Sequence, residues 1–161
     1  MAVTQICVTD LAACAELYTN VFSSPPWSED WTTHVAQTRL TEMFETPGAL
    51  GLAIREEDQV IGFVMGYGET YRDGVDFYIK EMCVATACQG QGLGTRLLDV
   101  LEEKLRNSGV RKMYLLTARD SGAQGFYQAK GFYTSEKMIM MGRWLTAPSV
   151  HPPLSVPDSK P

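Results

Sequence analysis

Residues 81–95 constrain this chain more than any other stretch. An apolar run through Met82, Cys83 and Val84 gives way to Gln89-Gly90-Gln91-Gly92-Leu93-Gly94-Thr95, with glycine at alternate positions. A helix follows whose apolar stripe, Leu93, Leu97, Leu98, Leu101 and Leu105, repeats with a period near 3.6. Glycines allow the backbone to approach a ligand closely because no Cβ intervenes. The N–H groups left unpaired at the start of a helix favour an anion, a phosphate above all. Strand, glycine turn and helix start therefore read as a phosphate cradle; a turn with glycines for geometry alone is the plainer alternative.

Two common phosphate loops do not fit. The nucleotide-triphosphate loop needs a lysine after its last glycine, and here Gly94 is followed by Thr95 and Arg96. The dinucleotide fingerprint needs a third glycine three residues after the second, and Leu97 stands at that position when the count starts from Gly92.

The 161 residues suit one domain, with a net charge of -5 that argues against a nucleic-acid surface but leaves room for a small local basic site for a phosphate. No apolar run is long enough for a membrane span, and the first residues lack the features of a signal peptide. A cytoplasmic protein is the expectation. Cys7, Cys14, Cys83 and Cys88 form no metal-binding spacing with His34 or His151, so no metal site is expected and the thiols are read as free. With only two histidines, a Ser-His-Asp or Cys-His centre has little to draw on.

Along the chain, alternation over residues 3–8 predicts a strand, followed by a helix from Asp10 to about residue 22. Pro25-Pro26 interrupts, and a second helix runs from Thr32 or Thr33 to about residue 44. Residues 49–55 and 60–68 read as strands joined by a polar hairpin, and residues 75–84 as the strand entering the glycine loop. After the leucine helix come a strand over 112–117, a short helix over 121–130 and the last strands over 132–144. Residues 1–145 are read as one domain and 146–161 as a proline-rich tail too poor in large apolar residues to fold by itself.

Two motifs together resemble the GNAT superfamily of N-acetyltransferases. Gln89-x-x-Gly92-x-Gly94 resembles its acyl-CoA loop, and Asp120-x-x-Ala123-x-x-Phe126-Tyr127, with Gly131-Phe132 after it, resembles its late helix. The resemblance extends over residues 3–145. It implies an α/β (α+β) fold with a mixed, largely antiparallel central sheet of about six to seven strands and helices on both faces. It also implies acetyl-CoA as the acetyl donor, with no metal.

In such proteins a neutral amine attacks the thioester directly. The resemblance assigns the pyrophosphate to the loop from Gln89 through Gly90, Gln91, Gly92, Leu93 and Gly94 to Thr95. The pantetheine arm falls to the main chain of Met82, Cys83 and Val84, on a strand that splays from its neighbour. A backbone N–H near Val84 can then polarise the carbonyl and stabilise the oxyanion. Asp120 stands where the superfamily commonly has an asparagine; an ionised aspartate accepts but does not donate, so Asp120 is also read as a helix cap. Tyr127 takes the place of the general acid. Glu81, in an otherwise apolar strand, is the candidate base, because burial raises a carboxyl pKa toward a useful range. Alternatives for Glu81 are a salt bridge to Lys80 or Arg119, or binding of a cationic substrate. Glu29, Glu69, Asp73 and Asp76 are weaker candidates for the base.

The acceptor is expected near the loop between the first two helices, where Trp27, Glu29 and Trp31 cluster, and near Glu69 and Tyr71 in the hairpin. Indoles and carboxylates suit a small cationic amine, as in the aminoglycoside N-acetyltransferases; a staple onto the core is the alternative for Trp27. Acetylation of a protein or peptide amine, or a non-catalytic CoA-binding module, are the competing readings. The apolar residues Met138, Ile139, Met140, Met141 and Trp144 allow a homodimer or simply a buried strand.

Overall fold

Strands β2 (Ala49–Glu56), β3 (Gln59–Tyr71) and β4 (Gly74–Val84) carry apolar residues on both faces, so their sheet has to be covered twice. The computed structural model, which describes residues 1–146, shows how. Helices α1 (Leu11–Phe22) and α2 (Thr33–Phe44) cover one face, and α3 (Leu93–Asn107) and α4 (Gly122–Ala129) the other. The described residues contain one five-stranded sheet in the order β1 (Val3–Gln5), β2, β3, β4, β5 (Val110–Leu115). Neighbours are antiparallel except β4 and β5, which are parallel and joined through α3, the crossover such a pair requires.

On the α1–α2 face Cys14, Tyr18, Leu40, Phe63 and Met65 form the core. On the other face Ile54, Val64, Phe77, Leu97 and Leu101 do so. Leu97 and Leu101 have no exposed surface. Truncating either to alanine would cost about 2–5 kcal/mol.

The β3–β4 ladder contains a bulge. Met65 faces Glu81 and Gly66 faces Ile79, so Lys80 has no opposite number. Gly66 is what makes room for it: a Cβ there would lie 2.0 Å from the Tyr78 carbonyl oxygen.

The last strands expected over residues 132–144 do not form. Those residues are irregular, Met138, Ile139, Met140, Met141 and Trp144 are exposed, and the outer edge of β5 has no strand partner among the described residues. Five strands therefore replace the expected six to seven. Four consecutive apolar residues carry no alternation to select a sheet face, and they make no ladder bonds that would hold them extended. The tail expected from residue 146 lies, after that first residue, outside the described residues.

Candidate active site

The glycine loop joins β4 to α3. Gly90 and Gly92 have φ of +74° and +79°, the left-handed region that favours glycine, and a Cβ on either would meet open space. Gly92 is the N-cap of α3, so the first N–H groups of that helix face the loop. Gly94 serves a different purpose: a Cβ there would come within 3.2 Å of Met82 and 3.3 Å of Phe126, so it lets α3 pack closely against β4 and α4. Leu93 is buried in the core. Thr95 is half-buried in the first turn. Gln89 donates from Nε2 to the Val84 carbonyl at 3.0 Å, and Gln91 from Nε2 to the Ala87 carbonyl at 3.3 Å, which ties the loop to the end of the strand.

Pairing between β4 and β5 ends at Ile79 and Leu115. Beyond it, Met82, Cys83 and Val84 pair only with β3, so one edge of this segment carries main-chain groups without a ladder partner. An unpaired strand edge, open glycines and orphaned helix N–H groups lie in series, and together they fit the extended, anion-terminated donor arm of an acyl-CoA. Cys83 is buried, and burial pushes its thiol well above the ordinary value, which leaves a neutral packing residue.

Tyr127, on α4, donates its hydroxyl to Met82 Sδ at 3.5 Å and so stands beside this same segment. Burial, with a smaller effect of the Glu81 charge, pushes its pKa up to about 12. The phenol therefore keeps its proton at neutral pH. Asp120 precedes α4 with φ +57°, and the cap is made instead by Ser121, whose hydroxyl accepts from the Gln124 N–H at 3.2 Å. The cap expected of Asp120 thus shifts by one residue. The Asp120 main-chain N–H donates to the Gln124 side chain at 2.5 Å.

Glu81 points to the α1–α2 face with a side chain only 10% exposed. Its partner is Arg39 of α2, a residue the sequence reading passed over: Nε donates to Oε1 at 2.9 Å, and Nη2 bonds the same oxygen. Lys80 and Arg119, the partners considered from sequence, make no ion pair with Glu81 among the described residues. Burial raises the Glu81 pKa, and it outweighs the hydrogen bond and charge of Arg39, the charge of Lys80 and the nearby Tyr18 phenol.

The residues expected to receive the acceptor are differently engaged. Trp31 donates from Nε1 to Glu29 Oε2 at 2.5 Å and packs edge-on against Tyr18, with Arg39 5.8 Å above its ring. Trp27 packs against Phe22. Glu69 accepts from Tyr114, and Tyr71 lies at the hairpin tip between Arg72 and Arg111. In register, Glu69 faces Asp76 and Tyr71 faces Gly74, toward the far end of β4 from Glu81. Asp73 and Asp76, weaker candidates for the base, are held by Arg111, and Asp76 also by Lys112.

An open pocket of about 150 Å³ is lined by Arg39, Glu42, Met43 and Thr46 from α2 and its C-terminal end, with Tyr67 and Lys80 from the sheet; it adjoins Glu81 through Arg39, the ion-pair partner of that carboxylate. Among the described residues no group of His, Cys, Asp and Glu side chains is placed to hold a metal ion, and no helix is long and apolar enough to cross a membrane.

A family model described as the acetyltransferase (GNAT) family matches residues 12–132, a span that contains the glycine loop, Glu81 and Tyr127. The chain belongs to the GNAT family. Its GNAT relatives include the mycothiol acetyltransferase of Jonesia denitrificans, 25% identical over 135 residues that cover 82% of this chain and 42% of that protein. The chain thus spans less than half the length of that curated relative. Among solved structures, the GNAT domain resembles a possible acetyltransferase from Clostridium difficile 630, with a TM-score of 0.77 and 13% identity over 90% of this chain and 98% of the other. It also resembles an aminoglycoside acetyltransferase from an uncultured soil metagenomic sample, in complex with sisomicin. There the TM-score is 0.71 and the identity 17%, over 90% of this chain and 96% of the other.

Proposed function

We propose that this protein is an acetyl-CoA-dependent N-acetyltransferase acting on the primary amine of a small acceptor that arrives as an ammonium ion. The observation that carries the reading is convergence on one end of β4. Glu81 lies on one face of that strand, the Tyr127 phenol reaches the other at Met82, and the edge between them is unpaired.

The chemistry follows from what each group can hold. The main chain of residues 82–84 would orient the donor arm, and the N–H groups around Gly92 would take its pyrophosphate. Acetyl-CoA, when bound, supplies the thioester that the amine attacks. Glu81, whose carboxyl is raised by burial, accepts the proton that the ammonium must lose. Tyr127 holds its proton at Oη on the Met82 side, where a departing thiolate needs one. Arg39 is a positioning residue, since it fixes one oxygen of Glu81 and limits how far burial raises the carboxyl.

Release of free CoA from acetyl-CoA, measured against amino acids, amino-acid amides, alkylamines, polyamines, aminoglycosides and peptides, tests this reading. At least one small amine is expected to be acetylated, and Tyr127→Phe is expected to lower kcat by about tenfold or more. No turnover with any amine, or turnover with peptides only, contradicts the proposal.

A further inference from the structure

The bulge in β4 carries the chain further. In a regular strand, consecutive side chains point to opposite faces. Here Lys80 is the extra residue, and both Lys80 and Glu81 come to the α1–α2 face. Glu81 reaches Arg39 on α2, while Lys80 lines the pocket that Arg39 also lines and holds its Nζ 5.0 Å from the centre of the Tyr78 ring. A cation and an anion thus stand next to each other on one face of β4, the cation lining the pocket and the anion joined to it through Arg39.

The charges differ in how they are engaged. Glu81 is matched by Arg39, whereas neither Lys80 nor Glu42 makes an ion pair among the described residues. Glu42, on α2, lines the same pocket as Lys80, on β4. A purely cationic acceptor would have to place positive charge beside Lys80 and Arg39, and a purely anionic one beside Glu42 and Glu81. A ligand that carries both signs a few bonds apart meets neither penalty.

From this juxtaposition we infer that the acceptor is a free amino acid, its ammonium directed to Glu81 and its carboxylate to Lys80. The inference rests on the N-acetyltransferase reading and narrows its acceptor. Lys80 is then a specificity-determining residue. Its ammonium fits the task, since a point charge on a flexible stem can follow a small carboxylate. Gly66 is part of the device, because the bulge that turns Lys80 toward the pocket leaves no space for a side chain there.

Matched acceptors test this directly: a panel of amino acids, each with its amide and its decarboxylated amine, for example leucine, leucinamide and 3-methylbutylamine. The amide is the demanding comparator. Its amine is less basic, so more of it is neutral at pH 7, and without carboxylate recognition it would be the better acceptor. For at least one amino acid, kcat/KM should exceed that of both analogues. Lys80→Met, which keeps the length of the stem, should raise KM for that amino acid by about tenfold or more. KM for the amide and the melting temperature should stay unchanged. Acetylation of amines with no preference for the carboxylate, or an equal effect of K80M on both acceptors, overturns the inference and leaves the N-acetyltransferase reading standing. Absence of turnover with every amine overturns both.

Discussion

Asp76 and Glu81 lie five residues apart on β4, each with a side chain 10% exposed and each held by an arginine. Their acidities nevertheless move in opposite directions. Burial pushes Asp76 up, but Arg111 and Lys112 together, through hydrogen bonds and charge, more than reverse it and hold the carboxyl below its ordinary value. Burial pushes Glu81 up as well. There the hydrogen bonds and charge of Arg39, placed on one carboxylate oxygen, do not reverse it even with the Lys80 charge and the Tyr18 phenol added. One end of the strand is an ion cluster that fastens β5 to the sheet; the other keeps a carboxylate that is easier to protonate. Asp76 has two ion-paired cations and Glu81 one, and this is the difference between the acid that fastens β5 and the acid proposed as the base.

Exchanging the groups one at a time should separate the two roles. Glu81→Gln is expected to have the largest effect, lowering kcat/KM by about 100-fold, with no loss of thermal stability. Asp76→Asn should do the reverse. It is expected to lower the melting temperature by roughly 5 °C at pH 7 and leave kcat/KM within about twofold, because it strands Arg111 and Lys112. Calorimetry and steady-state kinetics on both variants would break the comparison if the two phenotypes were exchanged.

The pH dependence of stability sharpens it. A carboxyl lowered on folding stabilises the protein fully above its unfolded value near 3.8, and that contribution is lost as pH falls through the folded value. Asp76→Asn should therefore flatten the acid limb of a plot of melting temperature against pH below about 4. Glu81 has the opposite sign. Its folded value lies above 4.5, so between the two values the folded state binds more protons and stability falls as pH rises. The smallest expected change is that of Arg39→Met. With its hydrogen bond and charge removed, the Glu81 carboxyl should rise further, moving the acidic limb of the rate profile to higher pH.

What the sequence made legible follows from where its signals are local. The leucine stripe of α3 and the glycines before it announce helix, loop and cradle without help from distant residues, and the structure places α3 at Leu93–Asn107. The apolar runs of β2 and β3 and the Pro25-Pro26 break between α1 and α2 are equally local. Arg39 was not legible, because nothing within α2 indicates that one of its polar residues faces a carboxylate 42 positions away. The direction of Lys80 was not legible for a related reason. Strand periodicity sets it opposite Glu81, and only the pairing of Gly66 across the ladder reveals the bulge. Residues 132–144 mark the reverse failure. Their apolar content suggested strands, yet a strand exists only where a neighbouring edge is paired, and β5 is not extended by them.

The central claim is that Glu81, and not Asp76 or another acid, takes the proton from the acceptor amine. The most direct measurement is kcat/KM for the best amine as a function of pH in the wild type, Glu81→Gln and Asp76→Asn. An acidic limb that is present in the wild type, retained in Asp76→Asn and abolished in Glu81→Gln is the predicted result. An acidic limb that persists unmoved in Glu81→Gln contradicts it.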